Sequence, residues 1–181
     1  RRTKHVAGVL RKIREKHLDL TEVHDVFAFR IIVAERDDCY LALNTIVYDD
    51  EIGLMQSICD AAKAANISAI IASDVSAITY AQSINLDVHI STQANISNIG
   101  AVKFYAQFSN VLVLARELTL EQIQNVSDAI HEQNITGPSG ELVQIELFIH
   151  GALCVSISGK CFMSLAAKNL SANRGECIQT C

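Results

Sequence analysis

Six cysteines are the residues of this sequence best suited to chemistry, and four of them lie within its last 28 residues. These four are Cys154, Cys161, Cys177 and Cys181, separated by six, fifteen and three residues. Thiols this close in sequence can hold zinc, hold an iron–sulfur cluster or pair as disulfides. Because no secretory signal opens the chain, metal binding or catalysis explains them better than a disulfide framework does. No C-x-x-C pair occurs, which disfavours zinc ribbons and thioredoxin-like redox sites.

Motifs for peptide hydrolysis are weaker than the cysteine pattern. The sequence contains no H-E-x-x-H zinc motif, no G-x-S-x-G nucleophile elbow and no clear Cys–His–Asn order. His150 precedes Cys154 by four residues, so the two could act as base and nucleophile, although this spacing alone is a weak signal. Alternatively, the four C-terminal cysteines are ordinary buried thiols with no catalytic or metal-binding role.

The elements that must position these residues alternate, from Tyr40 onward, between short apolar runs and amphipathic stretches. We predict five strands near residues 42–47, 68–73, 87–91, 110–115 and 144–149, separated by helices near 51–65, 75–84, 96–108 and 120–133. Short buried strands separated by helices indicate parallel β/α units. Such units fit part of a TIM-type barrel or a doubly wound sheet. We predict an α/β fold, a partial (β/α) barrel-like domain with mainly parallel strands, preceded by a helix–strand extension.

Polar side chains follow each predicted strand. In parallel β/α folds, the loops after the strands converge around helix N-termini and build the active site. We therefore predict that these polar side chains surround one shared active-site opening, here called the mouth, with Cys154 and Cys161 nearby. Its predicted catalytic residues are Asn44, Asp74, Gln93, Arg116, Glu117 and His150. Many strands end in polar residues without function, but agreement across five strands favours a shared site.

Composition and charge limit the function classes. A chain that is 50% hydrophobic with a single proline excludes disordered and collagen-like proteins. Residues 1–36 hold nine of the fifteen basic residues, whereas residues 40–181 carry six basic and thirteen acidic ones, which marks a boundary between two segments. No apolar run is long enough to cross a bilayer, so we expect a cytoplasmic protein without a membrane partner. Because the chain begins at Arg1, we expect it to be part of a longer protein.

Residues 146–164 carry the strongest local motif, E-x-F-x-x-G-A-L-C-x-x-x-x-G-x-C-x-M-S. This motif resembles the diagnostic pattern of the collagenase-like peptidase family of unassigned mechanism. Three further segments, HISTQANISN, LARELTLEQI and NRGECIQTC, are similar to segments of that family in the same order. The resemblance covers residues 40–181, which we treat as one incomplete domain of that family.

The resemblance implies a cofactor, because several family members hold a four-iron (4Fe-4S) cluster. It implies ligation by Cys154, Cys161 and Cys177, with Cys181 as the candidate fourth metal ligand. In some branches of the family the fourth ligand lies further downstream.

The resemblance also implies several activities. Some members are described as collagen-degrading peptidases, and others take part in hydroxylation of RNA bases or of a quinone precursor. The implied partner is thus a peptide, an RNA or a small-molecule substrate. Hydroxylation makes better chemical use of several cysteines, with Arg116 and the amides of Gln93 and Asn95 holding an anionic or nucleobase-like substrate.

Residues 1–39 resemble a different family, the synthetase domain of RelA/SpoT-type (p)ppGpp enzymes. The segments RRTKHVAGVLRKIREKH, DVFAFRIIV and DCY carry this similarity. It implies phosphate contacts by Arg2, Lys4 and Arg11 and magnesium binding by Asp25. Because the second catalytic carboxylate of that family is missing, we do not expect a working synthetase.

Three functions therefore stay open. The chain is an enzyme of the collagenase-like family, a nucleotide-binding remnant of an alarmone synthetase, or a non-catalytic or engineered composite of two proteins that meet within residues 38–41. In the extension we predict a helix at 4–17 and a strand at 27–33.

Overall fold

The computed structural model of this protein describes residues 39–150 and 154–181. The predicted helix at 4–17, the predicted strand at 27–33 and nearly all of the segment that resembles the synthetase lie outside these described residues. The described elements follow in the order β1 (Tyr40–Leu43), α1 (Ile52–Ala64), β2 (Ala69–Ala72), α2 (Val75–Ser83), β3 (Asp87–Ile90), α3 (Ile99–Tyr105), β4 (Val111–Val113), α4 (Leu120–Glu132), β5 (Gln144–Glu146) and α5 (Met163–Lys168). Short 3-10 turns occupy Asp49–Glu51, Thr92–Ala94 and Ala172–Arg174.

The five strands form one parallel sheet in the order β1-β2-β3-β4-β5. A doubly wound sheet reverses its strand order at a switch point, whereas strands that pair strictly in sequence are typical of a barrel segment. The predicted α/β fold with parallel strands is therefore confirmed, and the sheet is consistent with a partial barrel.

The strands are shorter than predicted, and β1 begins at Tyr40, two residues before the predicted range 42–47. Residues 45–47 were expected to extend β1, because a β-branched run favours a strand. Instead, the Val47 N–H donates to the carboxylate of Asp74 (3.2 Å), and the Ile46 N–H donates to the Asn173 carbonyl (3.5 Å). The backbone of this run is satisfied outside the sheet, so the β1–β2 pairing ends at Leu43 and Ala72.

The helices pack on only one of the two faces of the sheet in the described residues. One face packs on the helices through buried strand residues, namely Leu43, Ile70, Val88, Ile90 and Leu112. These form one cluster with helix residues that include Met55, Ile78, Val102 and Val126. Burying a leucine or isoleucine side chain contributes about 1.5–3 kcal/mol relative to leaving it exposed. Because successive strand residues point to opposite faces, the positions between them lie on the face away from the helices.

Polar caps define the helix boundaries. Asp74, Asn98 and Thr119 accept backbone N–H groups at the starts of α2, α3 and α4. Four asparagines adopt left-handed backbone conformations just after helix ends, where asparagine is tolerated better than most side chains: Asn66, Asn85, Asn134 and Asn169. Across residues 39–150 and 154–181, no helix has both the length and the apolar character needed to cross a membrane.

Candidate functional site

Residues 154–181, here called the cysteine segment, lie against the carboxyl ends of the parallel strands. Arg174 reaches the loop that follows β1 and pairs with a carboxylate there. After β3, the Asn95 amide donates to the carbonyl of Ser158 (2.8 Å). After β4, Arg116 donates three hydrogen bonds to the same loop. The segment therefore covers the edge of the sheet at which parallel β/α folds bind their ligands.

Between this segment and the strand ends lies a cavity of about 300 Å³, here called the cysteine cavity. Four of its wall residues are the C-terminal cysteines, Cys154, Cys161, Cys177 and Cys181, and none of them forms a disulfide. Gln93, Arg116 and Phe148 also line it. The fold thus brings all four predicted ligands to the wall of one cavity.

Arg116 holds the loop that carries the first of these cysteines. Its Nε donates to Ser158 Oγ (2.9 Å), its Nη1 to the Cys154 carbonyl (3.2 Å) and its Nη2 to the Ser156 carbonyl (2.6 Å). A guanidinium presents its donors in a rigid planar fork, so three bonds from one group fix the loop's position and orientation. Arg116 therefore positions Cys154, and its predicted contact with substrate stays a prediction.

Asn95 and Gly159 join the third strand to the same loop. The Asn95 Nδ2 bridges the carbonyls of Gln93 (2.9 Å) and Ser158 (2.8 Å). Gly159 has a φ of +70°, and a Cβ there would lie 3.3 Å from the Cβ of Gln93. The glycine of the G-x-C motif is thus required both by its left-handed backbone and by this close approach.

A second guanidinium anchors the other end of the cysteine segment. Arg174 pairs with the Glu51 carboxylate (Nη1 to Oε2, 3.0 Å), and its Cζ lies 3.9 Å from the centroid of the Tyr48 ring. The hydrogen bond from Arg174, together with that from the Tyr48 N–H, lowers the pKa of Glu51. The neighbouring Asn173 accepts the Cys161 N–H (2.9 Å). The Glu51–Arg174 pair therefore holds the chain next to a residue that orients Cys161.

This ion pair predicts a pH-dependent contribution to stability. Because the folded-state pKa of Glu51 is lowered, the contribution is present above the unfolded value of about 4.3 and is lost as pH falls through the folded value. We expect Glu51→Gln to reduce the free energy of unfolding by about 1 kcal/mol at neutral pH. The difference from wild type should shrink toward zero below the folded pKa in urea denaturation. Asp49→Asn, an exposed neighbour, is the matched control, and a deficit independent of pH would contradict the assignment.

The predicted mouth residues fall into three groups. Gln93 and Arg116 line the cysteine cavity. Asn44 and Asp74 follow β1 and β2, where the Asn44 carbonyl accepts from Ser73 Oγ (3.5 Å). Glu117 and His150 are exposed, and neither is among the described residues that line the cavity. The catalytic roles assigned to these side chains stay predictions.

Asp74 has a structural role as an acceptor for two backbone N–H groups. Its carboxylate accepts the N–H of Ser76 (2.9 Å), which caps α2, and the N–H of Val47 (3.2 Å). We expect Asp74→Ala to lower the free energy of unfolding by about 1–2 kcal/mol, the usual cost of losing an N-cap. Asp74→Asn keeps an acceptor and should retain most of the stability. Equal urea midpoints for wild type and Asp74→Ala would contradict this role.

One contact joins two residues that the sequence analysis did not select. His89 Nδ1 lies 3.3 Å from Glu146 Oε1, and the two side chains are 14% and 49% exposed. Both belong to quoted motif segments, since His89 opens HISTQANISN and Glu146 opens the cysteine motif. That position in the motifs was the available signal, but only the sheet shows that the two residues meet.

Single-ion metal binding is not apparent in the structure. Within the two described ranges, no three His, Cys, Asp or Glu side chains are grouped closely enough to hold one metal ion. Zinc-type coordination by the cysteine segment therefore finds no support there.

Comparison with known proteins gives three informative relatives. A collagenase of Porphyromonas gingivalis is 55% identical over 142 residues, which is 78% of this chain and 34% of the collagenase. A 23S rRNA 5-hydroxycytidine synthase of Escherichia coli is 38% identical over 143 residues, 78% of this chain and 20% of that protein. The tRNA hydroxylation protein P1 of Bacillus subtilis is 30% identical over 145 residues, 78% of this chain and 32% of that protein. The chain thus spans at most about a third of the length of each.

No solved structure matches the chain significantly. The family model described as Peptidase family U32 matches residues 6–181, and so includes most of the front segment. The resemblance of residues 1–39 to an alarmone synthetase finds no support in these matches, whereas the collagenase-like resemblance is confirmed. From its family match and its relatives, the chain belongs to peptidase family U32.

Proposed function

We propose that this chain forms the cofactor-binding part of an enzyme that hydroxylates a flat ring, with an RNA base as the substrate. The observation that carries the proposal is the set of four unpaired cysteines around one cavity at the carboxyl edge of the sheet. Two of the similar proteins bear names that refer to RNA hydroxylation. In support, the described residues that line the cavity include no His, Asp or Glu that could act as the base of a cysteine nucleophile.

The donor set fits an iron–sulfur cluster. Four thiols can each supply a thiolate, which is the ligand these clusters use. Cys154, Cys161 and Cys177 would hold it, with Cys181 as the fourth ligand. When bound, such a cluster supplies electron transfer.

The remaining cavity wall suits a neutral ring better than a phosphate. Phe148 is 52% exposed and offers a face on which a base can stack, and the Gln93 amide offers both a donor and an acceptor to a ring edge. Three donors of Arg116 are already engaged by the cysteine segment. Residues 40–181 carry thirteen acidic and six basic residues, so we expect stacking and base-edge contacts to dominate here over phosphate attraction.

Nucleoside analysis tests this function. The protein is expressed in cells that lack their own RNA hydroxylation proteins, and their tRNA and rRNA are digested and analysed by mass spectrometry. We expect a nucleoside heavier by one oxygen atom with wild type and its loss with Phe148→Ala. Phe104→Ala, which replaces an equally exposed phenylalanine on α3, is the matched control. Unmodified RNA in cells that hold folded, cluster-loaded protein would contradict the proposal.

Peptide hydrolysis is the second candidate, because the similar Porphyromonas protein is named a collagenase. Here Cys154 would be the nucleophile and His150 the base. Release of peptides from gelatin that is lost with Cys154→Ser and with His150→Ala, and kept after iron is removed, would favour hydrolysis. Gelatin cleavage that is unchanged in both variants would point to a contaminating protease.

A further inference from the structure

The face of the sheet away from the helices carries a histidine and a glutamate in contact. Val88 and Ile90 of β3 belong to the cluster that packs on the helices, so His89 between them lies on the opposite face. On β5, Ile145 packs against the same cluster, so Glu146 also faces away from the helices. This pair is separate from the four cysteines.

Three alternate strands contribute to this group. The His89 ring on β3 lies 4.8 Å from the Tyr40 ring on β1, and its Nδ1 lies 3.3 Å from Glu146 Oε1 on β5. Neighbouring strands are about 4.8 Å apart, so strands β3 and β5 are separated by roughly 10 Å. Their side chains meet across β4 in the way that layers from alternate strands fill the inside of a barrel.

The contact determines which nitrogen of the imidazole is available. A carboxylate 3.3 Å from Nδ1 favours the neutral tautomer that carries its proton on Nδ1, which leaves Nε2 as the acceptor of the ring. Within the part of the chain that the structure describes, Nε2 makes no hydrogen bond. A carboxylate-held imidazole with an open Nε2 is the usual arrangement of a protein proton acceptor.

The pair lies near the wall of the cysteine cavity, although neither residue lines it. Gln93, four residues after His89, and Phe148, two residues after Glu146, both line that cavity. Two residues span at most about 7 Å of chain, so the Glu146 backbone lies within about 7 Å of the Phe148 backbone.

We propose that His89 is a catalytic residue that moves a proton to and from the substrate in the cysteine cavity, and that Glu146 positions its imidazole. The bond that breaks joins hydrogen to the substrate, its electron pair stays on the substrate, and the new bond is Nε2–H. Nε2 then releases the proton to solvent, so this step involves no oxidation. The identity of the substrate rests on the proposed function. The contact between His89 and Glu146 can be tested without any substrate.

Measuring the tautomer of the His89 ring in the isolated chain tests whether Glu146 positions that ring. Long-range ¹H–¹⁵N spectra of histidine-labelled protein, assigned by the signal lost in His89→Asn, are recorded where the ring is neutral. We expect the Nδ1–H form in wild type and in Glu146→Gln, which keeps an acceptor oxygen. In Glu146→Ala the Nε2–H form should gain population. A wild-type ring in the Nε2–H form, or a tautomer ratio unchanged in Glu146→Ala, would overturn the proposal.

Turnover tests the catalytic step. His89→Ala should lower kcat on the hydroxylated RNA at least about 100-fold with little change in KM, and added imidazole should restore part of it. His131→Ala, a histidine on α4 distant in sequence from the motifs, is the control. Full activity of a folded His89→Ala protein would overturn the assignment. If wild type modifies no RNA, the proposed function fails, whereas the tautomer measurement still decides whether the pair exists.

Discussion

Replacing Arg116 with alanine should prevent stable cluster binding while leaving the sheet folded. The substitution removes three hydrogen bonds from one charged group, each worth about 1.5–3 kcal/mol, and all three hold the loop that carries Cys154. Without them the first cysteine ligand is free to move away from the other three. We expect reconstituted protein to lose its visible absorbance at least about tenfold faster than wild type, since the 1.4 kcal/mol that a tenfold change requires is less than one such bond contributes.

Two variants make this result specific. Arg116→Lys keeps the positive charge but not the planar fork, so we expect an intermediate rate of cluster loss. Lys103→Ala removes an exposed cation of α3 and should behave as wild type. Circular dichroism and urea denaturation check that Arg116→Ala still folds cooperatively. Wild-type cluster retention in folded Arg116→Ala protein would contradict the positioning role.

Replacing either motif cysteine should abolish both the cluster and the RNA modification. Cys154→Ala and Cys161→Ala each remove one thiolate from the cavity, and a cluster that lacks a ligand is labile. We expect colourless protein and at least about a hundredfold less hydroxylated nucleoside, the scale on which removal of an essential group acts. Absorbance spectra after anaerobic reconstitution and nucleoside mass spectrometry measure the two effects.

The other two cysteines are the matched controls for this prediction. Cys59 is fully buried on α1, and burial raises its pKa to about 11, so it is a neutral core side chain. Cys39 precedes β1, and its carbonyl accepts the N–H of Ser68 (2.8 Å). Cys39→Ala and Cys59→Ala should keep the cluster, although the second should cost some stability through a small core cavity. Loss of colour in these controls as well would contradict the ligand assignment.

Much of the fold was predictable because alternation of apolar and amphipathic stretches depends on local sequence. The helices at 51–65, 75–84 and 120–133 were placed within two residues; a left-handed asparagine follows each of them, and a polar cap begins the second and the third. The lengths of β1 and β5 were not predictable. Residues 45–47 have strand propensity, but their backbone bonds are taken by Asp74 and Asn173, which are distant in sequence.

The part of the site formed by cysteines close in sequence was predictable. The contacts between residues on strands far apart in sequence were not. The four cysteines could be named in advance, because they cluster in the sequence, and they do line one cavity. The structural role of Asp74 depends on the Val47 N–H, and the contact of His89 with Glu146 depends on side chains of β3 and β5 that meet across β4. Neither the periodicity nor the spacing of residues contains that information.

Iron and acid-labile sulfide content after anaerobic reconstitution is the most direct test of the central claim, that the cysteine cavity holds an iron–sulfur cluster. We predict brown protein with about four iron and four sulfide per chain, as expected for a cubane cluster on four thiolates. Zinc is determined in the same sample. Colourless protein that contains neither iron and sulfide nor zinc would leave four ordinary thiols in the cavity and contradict the account.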